Sequence, residues 1–458
     1  MAGTIVTLKG QFAQEKAQGW EERIYQEGCA VMREQAREYL EALDDELLRH
    51  KPAGWRVVGK GKRKVMTRFG VVEVQRRVYH DRRGRPRFLL DEYLGWPPSV
   101  LVTPSLREGL LEVVAELGYD KTAHLVEVLT AGVVSKTTVW REVQRVGERI
   151  CEAEAEEAEA VYKRGKIDYP FGGRQVERLY VEADGIWLRL QREQEKHMEL
   201  KVGIAYEGWE RIPHQREGYR LVGKRVYVHG HDRCHFWEGA SLAWFRHWDP
   251  GSIKEVIVGG DGAEWIRQGQ HILAQAVWQV DGFHLKRACV RALGKEQGAR
   301  LYEAIRNGRW EEGMQLWQQS PCPQGKQARD AYRWLGHLLQ AREGQDWRQR
   351  VRQAPKEARG LGTMEGNIAH IIADRMEGKG RSWSRRGALH LAKVREYLFN
   401  DTLHPWCYRP PASSPSPKPV RRPRKPDTAA WLQAHIPALE GRFPNDPALL
   451  RLKQWLSR

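Results

Sequence analysis

The stretch "IKEVIVGGDGAEWI" (residues 253–266) sets a carboxylate at the mouth of an apolar run. "VIV" reads as the middle of a buried strand, and Asp261 follows three residues later between Gly260 and Gly262. Glycines lack a Cβ, so the chain can turn sharply there and a large or charged group can approach the side chain. Alone, the stretch also suits a strand-to-helix turn in which Asp261 caps "AEWIRQ". The neighbouring segments decide between the two.

Outward from this stretch, the elements fall in a distinctive order. "VERLYVEADGIWLRLQ" (176–191) alternates as a strand and carries Glu182 and Asp184. "HMELKVGIAYEGWE" (197–210) and "YRLVGKRVYVHG" (219–230) read as two more strands, which implies three antiparallel strands. A helix follows at "CHFWEGASLAWFRHW", then the opening strand, the helix "AEWIRQGQHIL", the strand "AVWQVDGFH" and the helical "LKRACVRALG". The order βββαβαβα predicts an α/β fold with a ribonuclease H-like mixed sheet. In that layout the first and fourth strands are neighbours, which brings Asp184 beside Asp261. Two bare carboxylates so close repel, and one protonates unless a cation intervenes. Mg²⁺ prefers carboxylate oxygen and keeps other positions for water and phosphate, so the pair predicts a metal site.

A third acidic ligand is expected from a later helix packed across the sheet. In "ARGLGTMEGNIAHIIADRMEGKGRSWS" (358–384), Thr363 is placed to cap, and Glu365, Ile368, Ile372 and Arg375 fall on one stripe. The apolar part of that stripe would turn Glu365 inward. Asp374 and Glu377 are alternatives further from the helix start, where the dipole favours an anion.

"EADG" (182–185), "GDGAEWI" (260–266), "VDGFHL" (280–285) and "MEGNIAHIIADRM" (364–376) together resemble DDE transposases of the Mutator-like superfamily, specifically the bacterial ISLre insertion-sequence branch. Asp281 and His284 form the D-x-x-H that such enzymes carry after the second aspartate. The resemblance runs through most of the chain, including "LLDEYLGW". It implies Asp184, Asp261 and Glu365 as the catalytic, metal-binding triad. It also implies a helical insertion over 285–355, between catalytic parts at 170–284 and 356–400. Trp310, Trp317, Trp334 and Trp347 suit a separate small bundle there.

Composition agrees with a polyanion partner. The 458 residues carry 76 Lys and Arg against 59 Asp and Glu, a formal charge of +17. Such a surplus attracts nucleic acid, although ribosomal and membrane-surface proteins share it. Six dispersed cysteines with no CxxC spacing argue against a disulfide framework or zinc ribbon and fit a reducing compartment. No export signal and no run of about 18 apolar residues is visible, so no membrane role is expected. The reading is a bacterial cytoplasmic protein associated with the nucleoid.

The first 100 residues read as a helical arm (11 to about 50) followed by a β-hairpin with a basic tip at "RRGRP" and basic loops at 60–64 and 81–86. Residues 101–165 read as three short helices, the last two forming a helix-turn-helix joined by "TAGVV" and continued by an acidic connector helix. Ser135 would cap the third helix. Val139, Val143 and Val146 would face inward, leaving Lys136, Thr137, Trp140, Arg141 and Gln144 to meet DNA. Residues 404–426 read as a basic, proline-rich linker in which Arg421, Arg422, Arg424 and Lys425 can contact phosphates, and 427–458 as a helical tail. His229, His231, Cys234 and His235 have residue types that ligate zinc, but four within seven residues are crowded for a tetrahedral site, and a structural turn is the preferred reading.

The expected activity is metal-dependent cleavage at transposon ends and transfer of the 3′-OH into target DNA. Two Mg²⁺ ions about 4 Å apart, replaceable by Mn²⁺, would serve both steps. Asp281, His284 and Arg375 would support the site or orient DNA. The partners are terminal repeats and target DNA, with a homodimer on DNA because two ends are cut together. Rival readings are a ribonuclease H-like nuclease that does not join strands and a non-catalytic DNA-binding regulator.

Overall fold

In the computed structural model, residues 19–96, 101–130, 134–166, 170–215, 218–273, 275–351, 353–378 and 380–408 are described. They form two compact units, one ending at Trp140 and resuming at His404, the other running from Arg141 to Leu403. The basic residues Arg421, Arg422, Arg424 and Lys425, and the tail after them, lie outside the described residues.

In the first unit, helix α1 (Trp20–Leu48) packs on a hairpin of β1 (Arg56–Thr67) and β2 (Gly70–His80). Leu43, Leu47, Val65, Val72, Val74, Leu90 and Leu101 make its core. The hairpin tip is Arg68–Phe69, not "RRGRP" as the sequence implied, because Gly70 takes positive φ just after the turn and pairs with Thr67. "RRGRP" instead joins β2 to the two-residue β3 (Pro86–Arg87), and "KGKRK" lies within β1 rather than in a loop. Arg76 points into this core. Its guanidinium is bidentate to Asp91 (2.6 and 2.9 Å) and covers the Phe88 ring, so the charge is paired where it is buried.

Helices α2 (Leu89–Leu94), α3 (Pro104–Glu116), α4 (Tyr119–Leu129) and α5 (Lys136–Ala158) follow, with β4 (Leu101–Val102) between the first two. Ser135 caps α5 through the Thr138 N–H (3.2 Å), and α5 runs on into the acidic segment, both as the sequence predicted. Val139, Val143 and Val146 are buried. Lys136, Thr137, Trp140 and Arg141 are exposed, but Gln144 is buried and bonds His390 Nδ1 at 2.9 Å. Gln144 therefore cannot read DNA. The linker also starts later than 404, since α17 (His404–Tyr408) packs on α3, with Arg107 donating to the Cys407 carbonyl (2.6 Å).

The second unit is a mixed five-stranded sheet with helices on both faces. Its strands are β5 (Arg178–Arg189), β6 (His197–Tyr206), β9 (Arg225–His229), β10 (Glu255–Gly260) and β11 (Ala276–Val280), in the order β11-β10-β5-β6-β9. β5, β6 and β9 are antiparallel, and β10 and β11 join parallel to β5. A two-stranded ribbon, β7 (Gly208–Arg211) with β8 (Tyr219–Val222), leaves the sheet between β6 and β9.

Alternation on β5 divides the two faces. Leu179, Val181 and Ala183 enter one apolar core with α6 (Phe236–Phe245), α7 (Glu264–Arg267), α8 (Gly269–Ile272), α9 (Gly282–Leu293), α10 (Lys295–Arg306) and α12 (Lys326–Gln340). The helical insertion, with α11 (Trp310–Gln319) packed against this core, thus shares it and is not a separate bundle. Its chain returns past edge strand β11 to the other face through α13 (Trp347–Arg350), where buried Trp347 meets the Tyr180 ring (5.3 Å) and its N–H reaches Gln279 (2.6 Å). The second face is covered by α14 (Met364–Ile368), a wider turn at Ala369–Ala373, α15 (Asp374–Met376) and α16 (Arg385–Phe399). No helix among the described residues is long and apolar enough to cross a membrane.

Candidate functional site

Sheet register assembles the acidic site. Gly259 pairs with Glu182 on β5, and Gly260 pairs with Val280 on β11. Continued by two residues and by one, that register sets Asp261 level with Asp184 on one side and Asp281 on the other. Neighbouring strands are about 4.8 Å apart, so three aspartates form a row along one sheet end. Strand alternation puts all three on the face of Glu182, opposite the core that holds Ala183 and Val280.

Each aspartate is partly held by backbone. Asp184 Oδ1 accepts from the Gly185 N–H (2.7 Å) and Asp261 Oδ1 from the Ala263 N–H (2.8 Å). The second oxygen of each has no hydrogen-bond partner among the described residues. Asp281 is fully engaged: Oδ1 accepts from the Phe283 N–H (2.8 Å), capping α9, and Oδ2 bonds His284 Nδ1 (3.0 Å). Burial raises the Asp184 pKa, and the charges of Asp261 and Asp281 raise it further against the pull of the Gly185 N–H and of His284. The His284 pKa is raised, chiefly by its hydrogen bond to Asp281 and then by the three carboxylate charges.

The glycines around Asp261 have specific tasks. The space beside Gly260 is filled by Ile266, and Gly262, at φ 100°, sits against the Trp334 ring; a Cβ there would lie 3.0 Å from it. The open approach expected from "GDG" is therefore taken up by protein. Gly259 makes room for a different element, since a Cβ would lie 2.6 Å from Leu361 Cδ1. The segment Arg359–Thr363 lies over the sheet at this point.

Glu182 fixes that segment. Its buried carboxylate accepts from the N–H groups of Gly362 and Thr363, the Thr363 hydroxyl (each 2.8 Å) and the Tyr206 hydroxyl (2.7 Å). Thr363 thus spends its hydroxyl on Glu182 and does not cap its own helix; the Glu182 carboxylate holds the two N–H groups just before that helix. Burial raises the Glu182 pKa and its hydrogen bonds oppose the rise. Gly362, at φ 135°, also passes within 3.1 Å of Asp281 Oδ1, measured from where a Cβ would stand.

Glu365, two residues further on, is exposed and has no hydrogen bond or ion pair among the described residues. The expected stripe is buried at Ile368, Ile372 and Arg375 but not at Glu365. Arg375 lies over the Trp383 ring (5.4 Å), and a guanidinium 4% exposed cannot contact DNA. Asp374 faces His370 (3.4 Å) and is exposed, so it offers no better third ligand.

Sequence reasoning passed over two features. Glu182 was seen on its strand, but its partners lie about 180 residues on and leave no local signal. Beside the Gly362–Thr363 turn, a cavity of about 590 Å³ is lined by Trp209, Tyr219, Arg220, Lys224, Arg359 and Asn367. Arg359 stacks on Tyr219 (3.9 Å), and Lys224 Nζ reaches Asn367 Oδ1 (2.9 Å).

The donor set suits a hard divalent cation. Two carboxylates each keep one oxygen free, their mutual repulsion is only partly offset by His284, and Glu365 stands at the start of a helix anchored to the same sheet. The row is more open than a closed cage. Among the described residues, the trio whose ligand atoms all lie within 4.8 Å of one another is His229, His231 and Cys234.

The profile of an uncharacterised protein family, UPF0236, matches residues 16–405, and the chain belongs to that family. It is 24% identical over 390 residues to a UPF0236 protein of Caldanaerobacter subterraneus subsp. tengcongensis whose name joins eleven locus designations, covering 80% of this chain and 74% of that one. A second protein of that organism is 23% identical over 388 residues, covering 80% and 75%. A UPF0236 protein of Streptococcus gallolyticus, named for its place in the vanSb 3′ region, is 26% identical over 368 residues, covering 76% and 75%.

Proposed function

We propose that this member of the UPF0236 family is a DNA transposase of the DDE type, built on a ribonuclease H-like core, that cuts transposon ends and joins the freed 3′-OH to target DNA. The observation that carries the reading is the aspartate row, Asp184, Asp261 and Asp281, set level across three adjacent strands. The strand order, with two parallel strands added beside the first of three antiparallel ones, is the one such a core uses.

Asp184 and Asp261, with Glu365, would hold the metal. Bound there, Mg²⁺ or Mn²⁺ supplies Lewis-acid stabilisation of phosphoryl oxygens and an activated nucleophile. The protein's own residues do the rest. Gly185 and Ala263 orient the two carboxylates, leaving one oxygen of each outward. Asp281 keeps His284 oriented and favours its protonated form, which gives a donor for a phosphate oxygen beside the row. Glu182 holds the turn that carries Glu365. The cavity with Arg220, Lys224, Arg359, Trp209 and Tyr219 offers charge for a phosphate and rings for an unstacked base. Cutting two ends together calls for two copies on DNA.

The relatives' names support the reading. A name that joins eleven loci in one organism is what a self-copying element leaves behind. The test is incubation with the DNA that flanks the gene on either side, target plasmid and Mg²⁺. Strand-transfer products that vanish in Asp261→Asn, with DNA binding kept, are the expected result. Nicks without joining would make the protein a nuclease, and binding without any cleavage a regulator.

A further inference from the structure

On the opposite sheet face from the aspartate row, β9 ends at His229, the chain turns through Gly230–Arg233, and α6 starts at Phe236. His229 pairs with Lys201, and Lys201 with Gly185, one residue out of phase with the Asp184–Val202–Val228 row. This turn brings the side chains of His229, His231 and Cys234 together. We infer that they form a zinc site with three protein ligands, separate from the acidic row and independent of the transposase reading.

Distance is the first argument. The three ligand atoms lie within 4.8 Å of one another. Around a tetrahedral zinc with bonds of about 2.0–2.3 Å, ligand atoms stand roughly 3.3–3.8 Å apart, so rotamer adjustments of about 1 Å close the site. The imidazole rings are 4.5 Å apart and tilted by 56°, which lets them converge instead of stacking.

Unsatisfied polarity is the second. His231 Nε2 is buried with no hydrogen-bond partner, and such an atom is costly unless something binds it. Its other nitrogen accepts only a long bond from the Arg233 N–H (3.3 Å), and His229 Nδ1 has the Tyr227 hydroxyl at 3.4 Å. The His231 ring is therefore poorly served by protein partners. The crowding that argued against zinc in the sequence is relieved, because His235 is exposed and its N–H is held by the Glu238 carboxylate (3.0 Å). Three ligands remain, drawn from strand end, turn and helix entry.

The third argument is access. Gly230 keeps the turn tight, since a Cβ would lie 2.6 Å from Leu200 Cδ2. His229, His231 and Cys234 share the wall of a cavity of about 660 Å³ with His197, Glu199 and Lys201. A fourth position facing that cavity would take water or a small anion. Two imidazoles and one thiolate suit zinc better than Mg²⁺, which seeks oxygen.

The test uses the full chain without a polyhistidine tag, purified under reducing conditions from zinc-supplemented cells. Metal analysis should find about one zinc per chain. Cys234→Ser and His231→Ala should each lose it by at least about tenfold, while Asp184→Asn and Asp261→Asn keep it. Because a ligand variant can unfold the turn, the wild-type protein stripped of zinc is also titrated with Co²⁺. A thiolate-to-cobalt charge-transfer band, absent in Cys234→Ser, supports the site. Folded wild-type protein with neither zinc nor that band would overturn it, as would zinc retained in the Cys234→Ser, His231→Ala double variant.

Discussion

Replacing Glu182 tests whether one buried carboxylate holds the loop that carries Glu365. In Glu182→Ala the N–H groups of Gly362 and Thr363 lose their acceptor, at about 1–3 kcal/mol each if they stay dry. The Thr363 and Tyr206 hydroxyls can rotate, so they add little. The cavity left by the lost side-chain atoms adds about 1 kcal/mol, for a total of about 3–7 kcal/mol. At roughly 2–4 °C per kcal/mol for a unit of this size, the melting temperature should fall by about 6–28 °C. Glu182→Gln keeps an acceptor for both backbone donors, and its amide faces two hydroxyls that can accept, so it should stay within about 1.5 kcal/mol of wild type.

The pH dependence separates the two forms further. The Glu182 pKa in the folded protein is raised above its ordinary value, with burial the largest cause. A carboxyl raised on folding contributes stability that is full below its unfolded pKa, about 4.3, and is lost as pH rises through the folded value. Wild-type protein should therefore gain stability from this group as pH falls from neutral towards the unfolded pKa, and Glu182→Gln should lack that component. Thermal unfolding followed by near-ultraviolet circular dichroism at several pH values measures both effects. Equal losses in the Ala and Gln variants would refute the assignment of Glu182 as an acceptor, since Gln keeps both the size and an acceptor oxygen and the loss would then lie in the charge.

Three further outcomes follow from the same geometry. In metal-free protein at neutral pH, Asp261→Asn relieves the repulsion that raises the Asp184 pKa and should increase the melting temperature; Mg²⁺ at ten times its dissociation constant should stabilise wild type by about 1.4 kcal/mol and leave the variant unmoved, by calorimetry. Lys393 is fully buried between Glu154 (2.6 Å) and Glu396 (2.8 Å), so Lys393→Met leaves two acids facing each other and should cost about 3–5 kcal/mol in urea unfolding. If α5 meets DNA, Lys136→Ala with Arg141→Ala should flatten the salt dependence of binding by about two phosphates' worth, while Gln144→Ala, buried against His390, leaves that slope unchanged.

What could be read from the sequence was whatever repeats along the chain. Alternation located β5 and an apolar run located β10, and the order of the strands along the chain was enough to place Asp184 beside Asp261, because parallel neighbours in one sheet share a level. Asp281 and His284 were legible as a pair for the same local reason, one turn apart at a helix start. Most of the missed features are contacts between distant segments. Gln144 looked outward by helical spacing, yet a second helix carrying His390 covers that side, and no periodicity on α5 announces a partner nearly 250 residues away. Glu182 looked like an incidental acid on a strand because its donors arrive from Gly362 and Thr363. The glycines of "GDG" were read as space for a ligand, whereas Ile266 and Trp334 occupy it. The same physics explains why Glu365 stands apart in the metal-free state. Asp184, Asp261 and Asp281 already crowd negative charge, and a further carboxylate brought among them without a cation would raise the cost that the Asp184 pKa records. An exposed Glu365 on a helix fixed at its start by Glu182 is therefore what an acidic site should look like before metal binds. Metal binding should draw the first turn of α14 inward, and reduced amide exchange at Glu365–Ile368 on adding Mg²⁺ is the measurement; unchanged exchange would detach Glu365 from the site.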